Sequence, residues 1–230
     1  MSASRPFLDL LAELAAPAAA QWLGQRYAEL TAASFAAAYA GAGRRLGDTP
    51  AQPNPAQQSR LRAAGAPIPE GWPLKHIARS TLLQRAAELA PANEHLALVT
   101  GLYRGGDNAE REAVLKTLPL LPDAGRFVEL GVEACRSHVQ SVFEAIACDN
   151  PYPARFFPDL NFNQLVLKAF FTGVAVQRIV GLADRRNAEL VRMAEAYASE
   201  RRAAGRTVPP DLDSVTQLLG FEPPSPKPVP

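Results

Sequence analysis

Apolar residues recur at a spacing of three or four along most of the chain, which places them on one face of an α-helix. Near the N-terminus, Phe7, Leu10 and Leu14 follow this spacing, with Asp9 and Glu13 on the opposite face. Few segments alternate between polar and apolar positions, and no Asn-Gly pair marks a hairpin. The pattern therefore predicts an all-α protein.

Proline and glycine divide this pattern into separate helical segments. The predicted helices cover residues 7–18, 21–46, 56–64, 74–89, 93–103, 109–118, 127–147 in two pieces, 161–172, 187–204 and 211–219. Helices of this length with short Pro or Gly turns are typical of antiparallel pairs. We expect an irregular HEAT-like α-solenoid, a right-handed stack of helical pairs. A compact helical bundle is the alternative architecture.

The composition of the chain changes twice along its length. Six prolines lie among polar and small residues between positions 47 and 73, and five prolines lie in the last ten residues. Such composition favours solvated linkers and tails. The expected organisation is an N-terminal helical hairpin at 1–46, a Pro-rich linker at 47–73, a main helical domain at 74–220 and a flexible tail at 221–230.

Charge and hydropathy exclude several classes of function. The 24 Lys and Arg residues are balanced by 23 Asp and Glu residues, so no net field attracts nucleic acid. No run of about 18 uncharged apolar residues occurs, which predicts no transmembrane helix. The N-terminus also lacks the basic and apolar regions of a signal peptide. We therefore expect a cytoplasmic protein.

No motif in the sequence indicates a catalytic or cofactor site. The chain has no P-loop, Rossmann glycine pattern, Gly-x-Ser-x-Gly or HExxH motif. Cys135 and His138 share a helical face and, with Cys148 or Glu144, would form a fragment of a zinc site. No second ligand pair completes it, so a buried cysteine beside a half-exposed histidine is the favoured interpretation. We expect no catalytic residue, metal or cofactor.

The most distinctive segment of the chain is a connector at residues 149–159. It combines three prolines with Tyr152, Phe156 and Phe157 and leads directly into an apolar helix. Prolines reduce the freedom of the unfolded chain, and aromatic rings anchor a segment on its neighbours. A well-packed core loop is the favoured interpretation, and a rigid edge of a ligand groove is the alternative.

Polar residues beside the connector form a possible binding patch. Gln164 and Lys168 share a helical face, and with Arg178 they would bind a carboxylate or phosphate. Solvated side chains are the competing and more common explanation for such residues. The candidate ligand-binding or partner-binding residues are Tyr152, Arg155, Phe156, Phe157, Gln164, Lys168 and Arg178.

The C-terminal half of the chain resembles the EboA-domain family of bacterial proteins. The matching motifs are Asn150-Pro-Tyr-Pro153, Phe162-Asn-Gln164 with Lys168, Arg178-Ile-Val-Gly181-Leu and Glu200-Arg-Arg202-Ala-Ala-Gly205-Arg. Members are encoded beside a membrane prenyltransferase-like protein, in clusters linked to moving secondary metabolites across the cell envelope. Where members carry a histidine in the connector, this chain has Arg155 or Phe156. That departure argues against a catalytic or metal site there.

The resemblance implies a non-catalytic binding or scaffold protein in a secondary-metabolite biosynthesis and envelope-export pathway, in which the metabolite is a prenylated precursor. Its expected partners are proteins of the same pathway, including the membrane prenyltransferase-like protein, which would hold it at the inner membrane. One alternative is a soluble carrier of an apolar metabolite, with a tunnel lined by Phe157, Phe162, Phe170 and Phe171. A metal-dependent enzyme is the less favoured alternative.

Overall fold

The computed structural model describes residues 3–66, 68 and 71–216. Within these ranges the chain consists of helices, and an isolated bridge between Pro50 and Pro73 is the extent of its β-pairing. The α-helices are α1 (Arg5–Leu14), α2 (Pro17–Ala28), α3 (Ala32–Leu46), α4 (Pro55–Ala63), α5 (Leu74–Leu89), α6 (His95–Gly105), α7 (Asn108–Thr117), α8 (Val128–Cys135), α9 (Gln140–Ala147), α10 (Tyr152–Phe156), α11 (Asp159–Thr172), α12 (Leu182–Arg185), α13 (Ala188–Ala203) and α14 (Asp213–Thr216). The all-α prediction is confirmed, and the solenoid and the bundle both stay predictions for how the helices stack.

Local capping signals set several of the helix boundaries. Asp107 begins α7 with a capping box, in which its side chain accepts from the Glu110 N–H and Glu110 accepts in return. The predicted single helix at 21–46 is wrong, because Thr31 caps a new helix there. The Thr31 and Ser34 side chains each bond the other residue's backbone N–H, so the chain turns between α2 and α3.

The helix α5 lies at the centre of the fold. Its predicted bounds are confirmed, but the expected amphipathic character is wrong, because twelve of its sixteen residues are buried. The helices α1, α2, α3, α6 and α7 all contact it, so little of its surface faces solvent. Some of the polar groups that this burial encloses find partners, such as Ser80 and Thr117, whose hydroxyls are joined by a 2.6 Å hydrogen bond.

The described residues of the Pro-rich segment at 47–73 pack against the rest of the fold. Its side chains Ala51, Leu61, Ala66 and Trp72 belong to the same hydrophobic core as residues from Phe7 to Val215. The helix α4 is also tied to α1, since Gln57 and Arg60 both donate to the Glu13 carboxylate. The division of the chain into a hairpin, a linker and a main domain stays a prediction, and the tail at 221–230 lies outside the described residues.

Candidate functional site

The connector is ordered and contains a short helix, α10, where the sequence suggested a loop. Pro151 and Pro153 stand at its start, where a missing N–H leaves no helical hydrogen bond unmade. Asn150 is buried, and its amide donates to Leu115 O at 3.1 Å and Ala145 O at 2.9 Å. The connector is thereby fixed to both α7 and α9.

The aromatic candidates of the connector differ in their exposure. Tyr152 is fully buried, and Phe157 is 3% exposed. Both rings close over Gly131, where an added Cβ would lie 2.9 Å from the Phe157 ring and 3.2 Å from the Tyr152 ring. Tyr152 does not reach the protein surface, whereas Phe157 lines a small cavity together with Gln164 and Lys168. Phe156 is half-buried, and Arg155 is exposed.

The predicted polar patch is divided between two cavities. Lys168 donates to Cys135 O at 2.6 Å and also to Ser137 O, so its ammonium caps the end of α8. With the exposed Gln164 it lines a small cavity of about 160 Å³. Arg178 lines a different and larger cavity. The structure therefore does not gather the three residues around one ligand position.

Arg178 joins the connector to α9. Its Nε and Nη2 donate to Asp149 Oδ2 at 3.0 Å and 2.8 Å, and its Nη1 donates to Glu144 Oε2 at 2.8 Å. The Asp149 N–H donates to Arg178 O at 2.8 Å, with Asp149 in the left-handed region at φ 53°. The hydrogen bonds to Asp149 raise the pKa of Arg178. The guanidinium thus forms a wall of the cavity with its charge already paired.

The cavity that Arg178 lines has a volume of about 450 Å³ and opens between α7, α9 and the turn before α5. We call it the polar cavity. It is lined by charged, amide and hydroxyl groups together with an indole ring and a thiol. Its lining residues are Gly71, Trp72, Glu112, Lys116, Gln140, Ser141, Glu144, Ala145, Cys148, Asp149 and Arg178.

Lys116 is a half-buried cation in the wall of the polar cavity. Its Nζ donates to His76 Nδ1 at 3.2 Å and lies 5.7 Å from the centre of the Trp72 ring. Among the described residues, no carboxylate oxygen lies within 4.0 Å of this ammonium. Burial lowers the pKa of Lys116. Its charge is therefore held by a neutral imidazole and an aromatic face.

His76 supports Lys116 from behind the cavity wall. The ring is 3% exposed, and its Nε2 has no hydrogen-bond partner and lies 3.8 Å from Glu112 Oε2. Burial, followed by the charges of Lys116, Lys75 and Arg79, lowers the pKa of His76 to about 3. An ammonium donor at Nδ1 places the ring proton on Nε2. At neutral pH, Glu112 thus faces a neutral ring.

We expect His76 to make the protein less stable in mild acid. Its unfolded pKa is 6.5 and its folded pKa is about 3, so between these values the unfolded state binds more protons. Stability is then lost as pH falls through this window, by up to about 1.4 kcal/mol per pH unit. Urea unfolding at about pH 7 and about pH 5 should show a larger loss for wild type than for His76→Gln. Equal losses in the two proteins would contradict this assignment.

A third cavity, of about 500 Å³, forms a mainly apolar groove between the α2–α3 turn, the end of α5, and α6. We call it the apolar groove. It is lined by Leu30, Thr31, Ala32, Phe35, Ala86, Leu89, Ala90, Pro91, Glu94, Ala97 and Leu98. The expected tunnel residues lie elsewhere: Phe162 and Phe170 are buried in the core, and Phe171 is exposed beside Tyr197.

The cysteines and histidines do not assemble around a common point. Within the described ranges, no three His, Cys, Asp or Glu side chains are grouped closely enough to hold a metal ion. Both thiols are free, and burial raises the pKa of Cys135 to about 12 and that of Cys148 to about 11. No helix in the described part of the chain has the length and apolar character needed to cross a membrane.

These observations define an all-α protein with a charged cavity beside a Pro-rich connector. The family model described as "Metabolite traffic protein EboA" matches residues 7–217. The chain therefore belongs to the EboA family, which confirms the resemblance seen in its motifs. No curated protein and no solved structure matches the chain.

Proposed function

We propose that the chain is a non-catalytic binding protein of a metabolite-traffic pathway, and that it holds a small polar metabolite in the polar cavity. The observation that supports this proposal is that Lys116 and Glu112 line one cavity without an ion-pair partner at neutral pH. Both side chains are half-buried, and partial loss of water makes an unpaired charge costly. A bound metabolite would supply the missing partners, and the cavity volume is within the usual range for small ligands.

Two further contacts of the cavity favour binding over catalysis. The Cys148 thiol lines the cavity, but its raised pKa keeps it protonated at neutral pH, where it is a poor nucleophile. The Arg178 guanidinium is held by Glu144 and Asp149 and serves to fix the wall. These side chains form a rigid, largely preformed site of the kind that binds a ligand with little rearrangement.

The pathway and partners are part of the same proposal. We propose that the pathway makes and exports a secondary metabolite through a prenylated precursor, and that the protein works in it beside a membrane prenyltransferase-like protein. The exposed Arg155 of α10 and the exposed Arg202 of α13 are available for such a contact. Exposed arginine is common at protein interfaces, where it pairs with acidic groups of the partner.

The apolar groove favours a second candidate function, transport of an apolar metabolite. Its walls are mainly aliphatic and aromatic, and Leu89 in it is 49% exposed. A bound hydrocarbon chain would cover this surface, gaining about 25 cal/mol for each Å² removed from water. For this second function the ligand would lie in the groove between α3, α5 and α6, and not in the tunnel of phenylalanines that the sequence predicts.

A substitution that fills the polar cavity tests the proposed function. Ser141 lines the cavity from an exposed position on α9, so Ser141→Trp places an indole in it without disturbing the core. Wild type, incubated with extract of its native cells and examined by native mass spectrometry, should retain a small molecule that Ser141→Trp loses.

His138→Trp is the matched control, because His138 is also exposed and does not line the polar cavity. Equal occupancy of the same molecule in wild type and Ser141→Trp would overturn the polar cavity as the binding site. A molecule that is retained by Ser141→Trp and lost from Leu98→Arg, a substitution in the apolar groove, would instead support the second candidate function.

A further inference from the structure

Glu112 and Lys116 are separated by one turn of α7 and line the same cavity. A Glu followed by a Lys four residues later ordinarily forms an ion pair on the helix surface. Here the two groups do not pair, since the described part of the chain places no carboxylate oxygen within 4.0 Å of Lys116 Nζ. Lys116 turns instead to His76 and Trp72.

The other charges of the cavity form a separate, internally bonded cluster. Arg178 is hydrogen-bonded to Glu144 and Asp149, which leaves this cluster with one excess negative charge. Behind the wall, Lys75 pairs with Asp48, and Arg79 lies 3.5 Å from Glu110. These groups already have partners in the protein. The cavity therefore offers a ligand one unpaired ammonium and one unpaired carboxylate.

The signs of these charges discriminate between ligand classes. A simple anion would pair with Lys116, but it would also bring its charge close to Glu112 and to the negative cluster. A simple cation would pair with Glu112 and be attracted by the negative cluster, but it would be repelled by Lys116 and leave this ammonium without a counter-charge. A molecule that carries both charges pairs with both groups at once, so each unfavourable contact is offset by a favourable one.

We infer that the ligand of the polar cavity is a zwitterion of the amino-acid class, whose carboxylate binds Lys116 and whose ammonium binds Glu112. This inference rests on the proposed function. Side chains one turn apart have Cβ atoms about 5–6 Å from each other, and the flexible ends of Glu and Lys can converge on the two charged groups of one amino acid. Trp72 and Ala145 provide apolar surface for its carbon chain.

Matched ligands test this inference on the full-length protein. The twenty standard L-amino acids are screened by thermal shift, and the strongest is measured by calorimetry beside its N-acetyl derivative and its methyl ester. Of the two backbone charges, the N-acetyl derivative keeps only the negative one and the ester keeps only the positive one. Wild type should bind the free amino acid at least about tenfold more tightly than either derivative.

Two charge-removing variants assign the ends of the ligand. Glu112→Gln should lose the preference for the amino acid over its N-acetyl derivative, because the ammonium has no carboxylate to bind. Lys116→Met should lose the preference over the methyl ester, because the carboxylate has no ammonium to bind. Circular dichroism verifies that both variants fold, and Arg192→Met, an exposed charge of α13, should bind like wild type.

Several results would overturn the zwitterion: no amino acid binds wild type, a derivative binds as tightly as its parent, or both variants keep the wild-type preference. The Ser141→Trp experiment separates these failures from failure of the proposed function. If that variant loses a native molecule while amino acids do not bind wild type, the polar cavity is a ligand site for another chemical class. If that variant loses nothing, the cavity itself is excluded as a ligand site.

Discussion

Replacing Tyr152 with alanine is expected to lower the free energy of unfolding by about 3–5 kcal/mol, the range typical of large aromatic residues in a core. The Tyr152 ring is fully buried and lies 5.0 Å from the Phe156 ring and 6.1 Å from the Phe157 ring. Its hydroxyl donates to Ala124 O at 2.7 Å, so the substitution also removes a buried hydrogen bond. Chemical denaturation monitored by circular dichroism measures the loss.

Two companion variants separate packing from hydrogen bonding at this position. Tyr152→Phe keeps the ring and should cost about 0.5–1.5 kcal/mol, the net contribution of a typical hydrogen bond. Phe157→Ala removes a buried ring without a polar contact, so it should cost no more than Tyr152→Ala. A wild-type denaturation midpoint for Tyr152→Ala would show that the ring does not support the core.

Much of the helical framework could be predicted because its signals are local. Asp107 begins α7, and the bounds of α5 follow from Pro73 and from the proline that comes after Leu89. The burial of α5 could not be predicted, since its partners come from helices distant in sequence. In the sequence, polar residues such as Arg79 are typical of a solvated helix face. In the fold, the Arg79 guanidinium donates to Tyr39 O, a residue forty positions earlier in the chain.

The candidate site was difficult to predict for the same reason, because its contacts join residues that are distant in sequence. Arg178 was identified from its place near the connector, but its role depends on Glu144 and Asp149, which lie 34 and 29 positions earlier. Lys116 gave no signal, because a Glu and a Lys four residues apart are typical of an exposed helix face. Its distinctive property is the contact with His76, which is forty positions away in the sequence. Only the tertiary fold shows that Glu112 and Lys116 do not form an ion pair.

Arg185 is a second residue whose role the sequence conceals, since most arginine side chains are solvated. Its Nη1 donates to Ala154 O at 2.6 Å, and its Nη2 donates to Phe157 O at 2.8 Å and to Asp159 Oδ1 at 2.8 Å. The last carbonyls of a helix have no partner within the helix. The Arg185 guanidinium therefore caps the C-terminal end of α10, and it also lies 4.9 Å from the centre of the Phe162 ring.

We expect Arg185→Met to lower the free energy of unfolding by about 3 kcal/mol, because it leaves two backbone carbonyls without donors at about 1–3 kcal/mol each. Arg185→Lys should recover only part of this loss, since an ammonium cannot reproduce the planar fork of a guanidinium. Arg192→Met is the control: Arg192 forms an exposed pair with Glu189, and its loss should change stability by less than about 0.5 kcal/mol. Equal losses in Arg185→Met and Arg192→Met, measured by chemical denaturation, would contradict the capping role.

The effect of Arg185→Met should also extend to the polar cavity. The helix α10 directly follows Asp149 and Asn150, which tie the connector to Arg178, α7 and α9. Loosening α10 therefore frees the segment that positions one wall of the cavity. We expect Arg185→Met to weaken binding of the small molecule that wild type retains, at a temperature where the variant is still folded. Unchanged binding in a destabilised Arg185→Met would show that the cavity holds its shape independently of α10.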